Sequence, residues 1–88
     1  MKVKNMVSER SNRPVANQFI IEDEESTYFQ SYDTMIVRRM PGGTFLDVNA
    51  WDYSKTTGRY RNQFLGETKK ETERKLADGI YKLVDLNR

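Results

Sequence analysis

Residues 16–49, "ANQFIIEDEESTYFQSYDTMIVRRMPGGTFLDVN", decide the fold class. Phe19, Ile20 and Ile21 make a β-rich run that stops at the acidic cluster Glu22-Asp23-Glu24-Glu25. Period-two alternation in "STYFQSY" predicts Tyr28, Gln30 and Tyr32 on one face and Phe29 and Ser31 on the other. Two such runs around an acidic turn predict a hairpin. "TMIVRRM" is again β-branched and apolar, and "PGG" signals a turn because glycine takes positive φ without steric cost. "TFLDVN" then resumes extended character, so a second hairpin completes four antiparallel strands.

The pattern changes at Trp51. Ser54, Thr56 and Thr57 are each able to cap a helix, because a side-chain oxygen can accept from an orphaned first-turn N–H. Tyr60 and Phe64 lie four residues apart on one helical face, and Gly66 is a natural terminator. Thr68 and Glu71 have capping-box spacing and open a second helix, "KKETERKLAD", ended by Gly79. "IYKLVDL" predicts a last short strand, with Ile80, Lys82 and Val84 on one face and Tyr81 and Leu83 on the other. The expected order is β-β-β-β-α-α-β, an α+β domain. It is an antiparallel meander of four to five strands with two short C-terminal helices packed on one face. Residues 1–14 are either a basic N-terminal arm or a short edge strand, and residues 15–88 form the single domain.

Composition narrows the chemistry. The 88 residues are 36% hydrophobic and 32% charged, with ten aromatic side chains and neither cysteine nor histidine. A chain this short buries only about 60% of the surface its unfolded form exposes, so dimerisation or partner binding would help it. Missing Cys and His remove disulfides, thiolate nucleophiles, ordinary zinc sites and the side chain suited to proton transfer near neutral pH. No apolar run marks a signal peptide or a membrane span, so a cytoplasmic protein with no membrane partner is expected. The net charge of +2 is distributed unevenly: both ends are basic and the middle is acidic.

No nucleophile has a base beside it in any recognised spacing, and the chain has no P-loop or dinucleotide fingerprint. Carboxylate pairs occur in Glu22 to Glu25 and in Asp47 with Asp52; the Glu22–Glu25 run lies in a predicted turn and is better explained as solvated charge than as an acid/base or metal centre. The expectation is no enzyme, no metal and no cofactor. Binding is the stronger class. Tyr53, Lys55, Thr56, Thr57, Arg59, Tyr60 and Arg61 interleave aromatic rings with cations and hydroxyls. That mixture suits single-stranded nucleic acid, where cations neutralise phosphates and rings stack bases. A core-facing helix explains Tyr60 and Phe64 equally well. Lys69, Lys70, Arg74 and Lys75 alternate with Glu67, Glu71 and Glu73, which predicts a solvated face of helical i,i+3 and i,i+4 ion pairs. The alternative interaction surface is the open sheet face, with Tyr28, Tyr32 and one of Arg38 and Arg39.

The stretches "YFQSYDTMIV", "TFLD", "WDYSKTTGRYRNQFLGETKKETERKL" and "DGIYKLVDLN" resemble a group of small proteins of tailed phages, prophages and mobile elements. The W-D-Y-S-x-T-T-x-x-Y…F-L-G-E core is the specific part. The resemblance implies a genomic setting and a host-cell cytoplasmic location, but no defined activity. It suggests a small accessory protein with nucleic acid, single-stranded favoured, or a host protein as partner. A structural self-associating domain, a homodimer, is the third expectation.

Overall fold

The computed structural model describes residues 1–88. Its elements are β1 (Lys2–Val7), β2 (Pro14–Glu22), β3 (Thr27–Ser31), β4 (Thr34–Met40), β5 (Gly43–Asp47), α1 (Lys55–Leu65), α2 (Lys69–Ala77) and β6 (Tyr81–Val84). The strands lie in one sheet in sequence order, β1-β2-β3-β4-β5-β6. The α+β expectation holds, with six strands in place of four or five. β1 through β5 form the antiparallel meander, whereas β6 runs parallel to β5. Parallel neighbours need a long crossover, and the α1–α2 segment supplies it. Lys2–Val7 is the edge strand beside β2.

The two faces of the sheet follow from the registers. Ile20, Phe29, Val37, Leu46 and Leu83 align across five strands on the side where the helices pack. Phe29, Val37 and Leu46 are fully buried there with Tyr60 and Phe64 of α1. The Phe29 and Phe64 rings stack with centroids 5.9 Å apart. The ladder slips between Asn5 and Val7 and between Phe29 and Gln30. At the second slip Ile36 has no partner; at the first, Met6 of β1 faces the unpaired Val15–Gln18 of β2, and Met6 and Ile36 are both buried. An extra residue in β4 re-aims a side chain, so Ile36 joins Met6 in adding apolar groups to a thin core.

Each helix end carries its predicted stop. Of the three cap candidates the structure uses Ser54, whose hydroxyl accepts from the Thr57 N–H at 3.1 Å. α1 ends at Gly66, at φ 70°, where its N–H donates to the Asn62 carbonyl. Thr68 and Glu71 form the full capping box of α2. Past β6 the chain is tied back twice. Leu86 N–H donates to Asp47 Oδ1 at 2.9 Å, and the Asn87 amide accepts from and donates to the Met35 backbone at 2.7 and 3.0 Å.

Candidate nucleic-acid interface

The turn between β5 and α1 sets the position of the basic-aromatic segment. Asp47 is buried and accepts from the Asn49 N–H, while the Asp47 carbonyl accepts from the Trp51 N–H at 3.1 Å. Thr57, fully buried, shares a hydrogen bond with Ser31 of β3 at 3.0 Å, which pins the first turn of α1 to the sheet. Gly58 is buried one residue later, which leaves Lys55, Thr56 and Arg59 as the exposed residues of α1.

Arg61 departs furthest from expectation. Its side chain is 1% exposed, so it is unavailable to a phosphate. Nη1 donates to the Trp51 carbonyl at 2.7 Å and to Asp52 Oδ1 at 3.0 Å, and Nη2 donates to Asn62 Oδ1 at 2.9 Å. The guanidinium also sits 5.2 Å from the centre of the Trp51 ring, where a cation is attracted by the π face. Asp52 bridges it to Lys69, whose Nζ lies 2.6 Å from Oδ2. Partial burial raises the Asp52 carboxyl, but hydrogen bonds from Lys69 and Arg61 outweigh it and hold the group below its ordinary range. Thr57 and Tyr60 are likewise buried, Thr57 as a strut to Ser31 and Tyr60 as core.

Tyr53, Lys55, Thr56 and Arg59 remain at the surface, with Tyr53 54% exposed. Lys55 and Arg59 make no ion pair. They form a ridge shared by two depressions. On one side lies a cleft of about 410 Å³ walled by Tyr32, Thr56 and the edge of Tyr60 together with Val15–Asn17. On the other lies a groove of about 470 Å³ lined by no hydrophobic residue, bounded by Asp52, Gly58, Arg61 and Lys69. Of the four cations along that groove, Arg61 and Lys69 are paired with Asp52, which leaves Lys55 and Arg59 unpaired.

The alternative face is divided by the same geometry. Tyr28 and Arg38 are opposite one another on the side of the sheet away from the helices, with the guanidinium 5.7 Å from the ring centre. Arg39 points to the helix side, 4.6 Å from the centre of the Phe64 ring. Tyr32 does not continue the Tyr28–Gln30 face, contrary to simple alternation. It sits in the tight β3–β4 turn at φ 58°, which turns its ring toward the cleft beside α1. The backbone there is held by the Tyr32 N–H donating to the Asn17 carbonyl at 2.7 Å and by Gln30 Nε2 donating to the Tyr32 carbonyl at 2.7 Å.

Lys69 belongs to the groove although the sequence placed it in a helical ion-pair ladder. The predicted i,i+3 and i,i+4 pairs of α2 do not form. Lys69 reaches Asp52, and Lys75 reaches Glu67, which precedes the helix and is 3% exposed. Glu67 also accepts from Thr72 at 2.6 Å and from the Tyr81 hydroxyl at 2.8 Å. Its burial raises the carboxyl, but the hydrogen bonds from Lys75, Thr72 and Tyr81 bring it below its ordinary value. Burial and the bond to Glu67 push the Tyr81 phenol up. The one sequence signal for these tertiary pairs was the position of Asp52 and Glu67 just outside the two helices.

Residues 1–79 match the family of unknown function DUF8033. The chain belongs to that family. No curated protein and no solved structure matches it. No helix of this DUF8033 domain is long and apolar enough to cross a membrane.

Proposed function

We propose that this chain is a small, non-enzymatic binding module that holds single-stranded nucleic acid across the Lys55–Arg59 ridge. The observation that carries it is the pairing of two unlike depressions on one unpaired cationic ridge. A single strand is itself two-sided, with apolar base faces and a line of phosphates. The cleft beside Tyr32 offers an aromatic wall to a base, and the polar groove beside Lys69 offers cations to the backbone. Thr56, exposed in the first turn of α1, adds a hydroxyl donor where the positive end of the helix dipole favours an anion. Tyr32 is half exposed and carries a positive φ that costs a bulky residue about 1–3 kcal/mol, and such strain gathers at binding sites. The W-D-Y-S-x-T-T segment that bears the ridge is also the specific part of the resemblance to phage and mobile-element proteins. We therefore place the module among phage or mobile-element accessory proteins acting in the host cytoplasm.

Fluorescence anisotropy of labelled single-stranded DNA, RNA and duplex DNA tests this. Saturable binding to the single strands is expected, with log K falling against log salt with a slope of about −1.4 for two phosphate contacts. Lys55→Glu/Arg59→Glu should abolish binding and leave the melting temperature close to wild type, since neither side chain is paired or buried. No saturable binding at low salt, or binding unaffected by the double variant, would refute the assignment.

A further inference from the structure

A sheet covered on one side by helices ordinarily shows polar side chains on the other. Here apolar and aromatic groups stand among the polar Asn5, Gln30, Arg38 and Lys82 on the uncovered side. One residue from each of the six strands aligns across it in register, Val3–Ile21–Tyr28–Arg38–Phe45–Lys82. Phe19, Met35 and Met40 flank this row on the same side, all partly exposed, and Val3 is 60% exposed. Both helices lie against the opposite side, so no element of the chain covers these groups. A partly apolar, aromatic and arginine-bearing face of this kind has the composition of an interface core.

We infer that this face is a dimer interface occupied by the same face of a second copy. The row is self-complementary. A two-fold axis parallel to the strands and midway between β3 and β4 lays Tyr28 over Arg38 of the second copy, Ile21 over Phe45 and Val3 over Lys82. Cation meets ring, aliphatic meets aromatic, and the long Lys82 stem crosses Val3, each pairing occurring twice as an isologous contact requires. The Arg38–Tyr28 attraction that the contact needs is already present within one chain. The unpaired charges of this half of the molecule are of both signs. Arg38 and Lys82 make no ion pair, and neither do Asp23, Glu24 and Glu25 in the β2–β3 turn. The two-fold operation carries that acidic turn over the β4–β5 end of the other copy, next to the strand that holds Lys82.

Size and net charge permit the association. A sheet backed by one helical layer has its thickness along the shortest of the 35 × 29 × 21 Å extents, so its face lies across the longer two. The roughly 800 Å² that each partner of a specific dimer buries fits within that outline. A net charge of only +2 puts little repulsion between copies. Pairing through the sheet edge is disfavoured instead: β1 carries Lys2 and Lys4, charges of the kind that blunt an edge strand. The second copy therefore stacks on the face, with two sheets about 10 Å apart and their strands within about 30° of each other.

Sedimentation equilibrium of the full chain from about 1 µM to about 1 mM reads the association directly. A mass of twice 10.4 kDa is expected at the upper end. Phe45→Glu should weaken the dimer by about 100-fold or more, the loss typical of an anchor at an interface centre. Circular dichroism then checks that the variant is folded. Because the chain has no cysteine, Ile21→Cys/Phe45→Cys should be joined between copies by a short bis-maleimide, since facing sheets about 10 Å apart exceed the reach of a disulfide. A monomer at every concentration overturns the inference whether or not the variants fold. So would a dimer that folded Phe45→Glu leaves unchanged. Loss of single-strand binding in Phe45→Glu, with the mass still that of a monomer, would assign the face to nucleic acid and overturn it as well.

Discussion

Arg61 carries its charge on an almost fully buried side chain, and three oxygens within 3.0 Å, from Trp51, Asp52 and Asn62, keep it there. Removing the carboxylate leaves that charge with neutral acceptors alone. Asp52→Ala should cost about 3 kcal/mol in chemical denaturation, near the low end for breaking a buried pair because Asp52 itself is 28% exposed. The same residue scale separates stability from binding at Tyr32. An asparagine accepts φ 58° far more readily, so Tyr32→Asn should raise stability by about 1 kcal/mol. It removes the ring from the cleft, and single-strand affinity should drop by about 10-fold, the lower range for losing one stacked base. A variant that gained stability and kept its affinity would separate Tyr32 from the site.

At the scale of the element, α1 is a helix whose two sides do different work. Tyr60, Phe64, Thr57 and Arg61 face inward, and Lys55, Thr56 and Arg59 face outward. The cap residue serves both sides, because it sets where the helix begins and hence which side chains reach the ridge. Ser54→Ala should lower the melting temperature by an amount equivalent to about 1 kcal/mol. Affinity for single strands should fall with it if first-turn fraying disorders Lys55 and Thr56. Gly58 is a separate case. A Cβ there would stand 3.7 Å from Arg61 Nη2 and from Asp52 Oδ1, which is ordinary contact. Gly58→Ala should therefore add about 0.5–1 kcal/mol of helix propensity. The same methyl intrudes on the polar groove and should weaken phosphate contact.

For the whole molecule, two lowered carboxylates tie the helices to the rest. Asp52 joins the β5–α1 turn to the start of α2, and Glu67 joins α2 to β6 through Lys75 and Tyr81. Both carboxyls sit below their ordinary values when folded. The unfolded chain therefore takes up protons first as pH falls, and the stabilisation each provides is complete above the unfolded carboxylate range. Stability should hold from neutrality down to about pH 5 and then decline through and below about pH 4. Asp52→Asn with Glu67→Gln should flatten that acid limb in thermal melts between neutral and low pH. An acid limb unchanged by the double variant would place the titration in other groups.

Local chemistry alone determined strands β2 to β5, the turns at the acidic cluster and at Pro41–Gly42, the two helices, the Thr68–Glu71 cap and the inward face Tyr60–Phe64. Each depends on neighbours within a few residues, through alternation, helical spacing or a cap oxygen. Tertiary structure decided what depends on distance along the chain. Arg61 looked like a surface cation until the fold placed Trp51 and Asp52 around it, ten and nine residues away. Arg38 and Arg39 were equivalent in sequence, and only the position of the helices sent one to the open face and the other over Phe64. Tyr32 left its predicted face because a tight turn needs a positive φ that alternation does not anticipate. β6 found its parallel place beside β5 for a similar reason, since the α1–α2 crossover returns the chain to the same end of the sheet. Short-range sterics and hydrogen bonding are written into adjacent residues, whereas burial and charge pairing depend on which distant groups the folded chain brings within a few ångströms.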